Sequence, residues 1–337
     1  MRSIQGVIVT AIAAAVLSPA AVATTAASAR LARQAAHAAA GCRVAGTIRV
    51  GRDPRGVAVN PATNTIYVAN VQSGTVSRIS GRADTVTATI AAGASPFGVA
   101  LDLRTRRIDV TNSGQDGQVT VISARTKRIV ATVAVGRLPL FVAVNPKTNT
   151  VYATNQEDAT VSVISGRTNT VTKTIRVGSD PQGVAVNPVT NRLYVANLSG
   201  NTVSVISGKT NRVTATIHVG TRPDAVAVNP RTNTIYVGVA GQNKVKVING
   251  KTNKVTAAIR VSPSPEGVAV NPRTGTIFVT TYPSHKVAVI SARTKTVTNT
   301  IRAGSGLGEI AVNPATNKAY VTDPLRKTVK VLASCRA

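Results

Sequence analysis

The segment Val-Asn-Pro returns every 42 or 43 residues along this chain. It ends strand-like runs at Asn60, Asn145, Asn187, Asn229, Asn271 and Asn313, and a degenerate Leu-Asp-Leu copy sits at Asp102. Seven copies at this period mean seven equivalent units, each too small to bury its apolar side alone. Units of this kind stack on their neighbours to form one continuous core.

The copy beginning at Gly183 shows what a unit contains. Gly183 to Asn187 is a short apolar strand, a. Arg192 to Asn197 is strand b, Thr202 to Ile206 is strand c, and Val213 to Val219 is a Thr-rich strand d. Alternation with period two, β-branched residues and Asn/Gly/Pro punctuation make these strands joined by tight turns. Asn64, Asn149, Asn191, Asn233 and Asn317 share one turn position, where the sixth copy has Gly275. Asn and Gly are the residues that best tolerate a left-handed backbone, so this position requires positive φ. Four strands per copy and seven copies predict an all-β, seven-bladed β-propeller of four-stranded antiparallel blades, spanning residues 42–337.

Strand b carries a family resemblance. Ile66-Tyr67-Val68-Ala69-Asn70, Tyr152-Ala153-Thr154-Asn155 and Tyr194-Val195-Ala196-Asn197 resemble the Tyr-Val-Thr-Asn (YVTN) β-propeller repeat. The pattern weakens at Tyr236, Phe278 and Tyr320, and blade 2 has Asp109 in the Tyr position. The resemblance implies a seven-bladed propeller of an often exported type and no single reaction. The Tyr ring reads as interblade packing, because aromatics bury large areas.

The phase of the repeat predicts how the ring closes. Thr47-Ile48-Arg49-Val50-Gly51 matches the end of strand d, whereas the C-terminus supplies only strands a, b and c of its last copy. Residues 43–50 should therefore complete the last blade. Cys42 and Cys335 align two positions apart in the one c–d turn that is cut, a spacing compatible with a disulfide. That bond would lock the circle.

At the N-terminus, Arg2, the apolar run Val7 to Leu17 and Ala27-Ser28-Ala29 read as a signal peptide over residues 1–29, followed by a disordered leader over 30–41. Ala39-Ala40-Gly41-Cys42 also resembles the end of a lipoprotein box, though Cys42 lies far beyond the apolar run. No later stretch is long and apolar enough to span a bilayer as a helix. The expected product is secreted or cell-envelope associated, and monomeric.

Charge then matters. The chain has 40 Lys+Arg against 12 Asp+Glu, a net of +28, and it would lose only Arg2 with the signal peptide. Antiparallel blades put the a–b and c–d turns on one face and the b–c turns and interblade links on the other. The first face collects Arg82, Arg125, Lys127, Arg128, Lys147, Arg167, Lys209, Arg231, Lys251, Arg273, Arg293 and Lys295, among others, against only Asp84 and Asp102. Such a face suits an anionic cell-wall polymer or a nucleic acid backbone. It lacks the aromatics that reading bases requires. The alternative is that duplication multiplied one solvated turn cation.

The other face is nearly neutral and varied. After the link proline the copies present Arg55, Phe97, Leu140, Gln182, Asp224, Glu266 and Gly308, with His285 nearby in a b–c turn. These should ring the mouth of the central channel as a candidate ligand site. Solvated loop residues under weak constraint are the alternative. No zinc-spaced His/Cys set, catalytic triad or phosphate loop is present, and no cofactor or metal is expected. The leading expectation is a non-enzymatic binding or scaffold propeller. The alternatives are a lyase or hydrolase working at the channel mouth, and a protein-binding scaffold using the blade rims.

Overall fold

The structure is a computed structural model that describes residues 41–114, 116–333 and 335. The signal peptide and nearly all of the leader expected at the N-terminus lie outside these residues, as do Gln115 and Arg336. Seven four-stranded sheets follow one another, each in the order a-b-c-d from the axis outward. Blade 4 is typical: Pro181–Asn187, Arg192–Asn197, Thr202–Ser207 and Arg212–His218, all antiparallel. Strand a begins at the link proline, two residues earlier than the sequence pattern suggested. First strands of neighbouring blades pack against one another around the axis. Strand d is the exposed outer edge, and in blade 4 only Ile217 of it is buried.

Ring closure follows the repeat phase. Strands Ile310–Asn313, Lys318–Asp323 and Thr328–Ala333 are joined by Arg43–Arg49, which pairs antiparallel to the third. The N-terminal strand reproduces a true strand d down to its irregularity. Leu332 faces Val44 and Val331 faces Gly46, skipping Ala45, just as Ile206 faces Val213 and Val205 faces Ala215. Cys42 and Cys335 form the disulfide across this seam, with Cα atoms 4.2 Å apart. Closing a loop of this length removes denatured-state entropy equivalent to roughly 5 kcal/mol in the loop-closure account.

Seven apolar clusters hold the ring, each built from two adjacent blades. The strand-b tyrosines belong to them: Tyr194 packs with Val226, Ile235 and Ile248 of the next blade, and Tyr320 packs with Ile66 and Ile79 across the seam. Close approach at the axis depends on glycine. A Cβ on Gly98 would meet the carbonyl oxygen of Leu140 at 2.5 Å, and one on Gly183 would meet that of Asp224 at 2.8 Å.

The asparagine of Val-Asn-Pro has two roles, which explains why it repeats. Its Oδ1 closes the a–b turn: Asn187 accepts from the backbone N–H of Val189 at 3.0 Å. Its Nδ2 crosses to the next blade, where it donates to the turn asparagine. The pairs are Asn145–Asn191, Asn187–Asn233 and Asn271–Asn317 at 2.8 Å, and Asn313–Asn64 at 2.7 Å across the seam. Each turn asparagine sits in the left-handed region, Asn191 at φ 51°. The asparagine ending strand b ties b to c instead, as Asn197 donates to Thr202 at 3.0 Å and Ser204 at 2.9 Å.

Candidate functional site: a basic turn face and an acidic channel

Antiparallel pairing places all a–b and c–d turns on one side of the disc. Arg82, Arg125, Lys127, Arg128, Lys147, Arg167, Lys209, Arg231, Lys251, Arg273, Arg293 and Lys295 are all exposed there. Lys127 and Lys295 occupy left-handed turn positions at φ 59° and 58°. The two acids on this side do little to neutralise it. Asp84 is paired with Lys318 at 3.1 Å, and Asp102 is buried in its own turn. Among the described residues, none of the twelve cations has a carboxylate within salt-bridge distance. The arrangement is an uncompensated field of exposed cations on the turn face.

On the other side, the first strands enclose a channel cavity of ≈ 160 Å³ lined by Gly56, Gly98, Phe141, Gly183, Ala225 and Glu309, with Val57, Val99, Val142, Val184, Val226 and Val268. Around it the structure brings together Arg55, Asp224 and Glu266 from the expected set, and adds Glu309. Burial, then the Glu266 and Asp180 charges, pushes Asp224 up to about 7, with Arg222 opposing. Burial followed by Asp224 and Glu266 pushes Glu309 up to about 8, against Arg55 and the backbone N–H of Ile310. Glu266 is raised by burial, with Arg55 pulling it down. Arg55 is itself held by Asp53, Nε to Oδ1 at 2.8 Å. Asp224 and Glu309, pushed up to about 7 and 8, can exchange a proton near neutrality, and Glu266 beside them is raised in the same direction.

The remaining candidates have local roles. Phe97 meets Phe141 edge-on at 5.5 Å, and Gln182 donates to Asp180 at 2.7 Å. Leu140 is buried. His285 sets its ring edge-on to Tyr282 and makes no ion pair with the channel acids. Among the described residues no group of three His, Cys, Asp or Glu is placed to hold a metal ion.

Sequence reasoning missed Glu309. The column two residues after the link proline lines the channel, and it reads Gly56, Gly98, Phe141, Gly183, Ala225 and Gly267 in the other blades. A glutamate in a column that otherwise holds only Gly, Ala and Phe was the signal. The absence of a proline in the last copy, where Leu307 stands, hid it.

Seven four-stranded antiparallel blades, closed by the N-terminal strand, define a repeat β-propeller. The chain belongs to the YNCE-like beta-propeller family, whose pattern matches residues 147–322. That agrees with the YVTN-type repeat seen in strand b. No curated protein matches the chain. In three dimensions it is similar to hydrazine synthase of Kuenenia stuttgartiensis, with a TM-score of 0.76 and 17% identity, over 83% of this chain and 95% of that one. At that identity the likeness is one of fold.

Proposed function

We propose that this is an exported, non-enzymatic binding propeller that attaches through its turn face to an anionic polymer of the cell envelope. The observation that carries this reading is the uncompensated field of exposed cations on the a–b and c–d turns, whose two acids are respectively paired and buried. A polymer of phosphodiester or acidic-sugar units would bind by releasing its counterions, so affinity would fall steeply with salt. The disulfide at the seam is compatible with an extracellular location, since such bonds persist in oxidising compartments. No helix of the described residues is long and apolar enough to cross a membrane.

The test is retention of the exported protein on an anionic matrix, with elution by salt. Retention that modest salt reverses, and that glutamate at Lys209, Lys251, Arg293 and Lys295 abolishes, is the expected result. Undetectable or salt-insensitive binding to every polyanion rejects the reading.

A specific observation favours a second reading, an enzyme at the channel. Asp224 and Glu309 titrate near 7 and 8 beside one cavity, in the range that general acid–base chemistry uses. A turnover lost on Glu309→Gln, with the fold retained, would move the assignment to this reading.

A further inference from the structure

A cavity of ≈ 540 Å³ lies outside the channel. It opens on the turn face between blades 1 and 2. Its size lies in the range of small-molecule sites. It exists because the repeat breaks there. In blade 2 Arg106 replaces the turn asparagine, yet keeps the left-handed backbone at φ 57°. Asn60 therefore finds no asparagine across the seam, and its Oδ1 serves only its own turn, accepting from Ala62 at 3.1 Å and Thr63 at 3.3 Å. At the seams after blades 2, 4 and 7 a basic side chain, Arg107, Arg192 or Lys318, also bridges the blades from the start of strand b. Arg192 donates to the carbonyl oxygen of Gly250 at 3.0 Å, and Lys318 to that of Gly81 at 3.3 Å. Blade 1 begins strand b with Thr65, whose hydroxyl stays within its own turn at Thr63.

The walls have two characters. Tyr67, Leu103 and Ala124 supply an apolar floor, and Arg78, Arg106 and Arg125 stand around it. Arg78 is half-buried and spends one nitrogen on Thr87 at 2.6 Å, whereas Arg106 and Arg125 are exposed. Arg107 also borders the cavity, but its guanidinium crosses to Gly166 and Asn169 of blade 3. The one carboxylate in the wall, Asp102, has an oxygen occupied by the N–H groups of Arg104 and Thr105 at 2.9 and 3.2 Å. No carboxylate lies within salt-bridge distance of Arg78, Arg106 or Arg125 among the described residues. Guanidinium forks and the Asn60 amide form a donor set matched to phosphate or carboxylate oxygens, set over an apolar floor.

The geometry points to a discrete site between blades 1 and 2 for a small organic anion, a phosphate or carboxylate group on a compact apolar body. The head group meets Arg78, Arg106 and Arg125, and the body lies on Tyr67, Leu103 and Ala124. The site sits on the basic face but does not require the polymer reading, because Arg78 and Arg106 stand where the repeat fails and only Arg125 is shared with the repeated cations.

Amide chemical-shift titration tests this on the mature, disulfide-bonded protein. The probes are phenyl phosphate and benzoate, with inorganic phosphate and benzyl alcohol as partial ligands. One-to-one saturation by at least one organic anion is expected, with the largest shifts at Ala62, Leu103 and Ala124, and with each partial ligand about tenfold weaker or worse. The triple variant Arg78→Gln, Arg106→Gln, Arg125→Gln should weaken binding at least about tenfold with an otherwise unchanged amide spectrum. A control variant, Lys209→Gln, Lys251→Gln, Arg293→Gln, should leave it unchanged while reducing retention on a polyanion. Single replacements provide the same comparison if the triple variant fails to fold. No saturation by either organic anion overturns the proposal. So does saturation whose shifts scatter over the face, binding that benzyl alcohol equals, or equal loss in the control variant.

Discussion

Blades 4 and 2 have the same strands and the same turns, yet their seams differ. Between blades 4 and 5, Asn187 closes its turn and reaches Asn233, while Tyr194 fills the interface at 0% exposure. Between blades 2 and 3, Asp102 closes its turn but cannot donate, and Asp109 occupies the tyrosine's place at 2% exposure. One oxygen of each carboxylate is buried without a hydrogen-bond partner. The apolar cluster of that seam holds Val, Ala and Ile, and no aromatic ring. On its other side, blade 2 opens the large pocket against blade 1. The repeat supplies cohesion, and blade 2 lacks the asparagine crossing on both of its flanks and the aromatic ring on one.

The largest effect should come from breaking the regular seam. Tyr194→Ala removes a fully buried ring shared by two blades and should cost about 3–5 kcal/mol in denaturant unfolding. A cost below about 1 kcal/mol would mean that the tyrosines do not carry the seams.

Next is pH. Burial, with help from Asp102 and against Arg107, pushes Asp109 up to about 7 from an ordinary 3.8. Between those values the unfolded chain binds fewer protons than the folded one, so stability falls as pH rises. This group alone contributes up to ~1.4 kcal/mol per pH unit in that window, and its stabilisation is complete only below the unfolded value. Asp109→Asn should remove that slope while Asp224 and Glu309 keep theirs. Urea unfolding at several pH values reads it, and an unchanged slope would contradict the burial account.

The seam asparagine and its blade 2 counterpart, Asn187 and Asp102, can be exchanged. Asn187→Asp imposes the blade 2 condition on a regular seam and should destabilise by roughly 1–3 kcal/mol, the cost of an unpaired buried polar group. The reverse change, Asp102→Asn, gives blade 2 a donor facing Asn149 and should stabilise by about 0.5–1.5 kcal/mol. Thermal or chemical unfolding of both variants decides whether the asparagine crossing is what seals a seam.

Most of the frame was legible in the residues. The 42-residue period announced seven blades, and its phase announced that residues 43–50 would finish the last one, where the strand Arg43–Arg49 is found. The cysteines fell at the cut turn because only there does the chain lack a covalent link. The double role of the Val-Asn-Pro asparagine was not legible. A period shows which residues are equivalent, but it cannot show that position 187 faces position 233, because that depends on how two sheets sit against each other. The pocket was hidden for the same reason. Arg106, Thr65 and Asn60 are ordinary turn residues until the blades bring them to one gap. At the channel mouth the acidic set was half visible: Asp224 and Glu266 stood in the expected column, while Glu309 stood one column over.

On the proposed function, the repeated turn cations act together as a surface for an anionic polymer. The most direct measurement is the affinity for long-chain polyphosphate as a function of salt, for the native chain and for the variant with glutamate at Lys209, Lys251, Arg293 and Lys295. The logarithm of the binding constant should fall linearly with the logarithm of salt concentration, with a slope of several counterions that becomes markedly shallower in the variant. A flat dependence, or the same slope in both proteins, would contradict it.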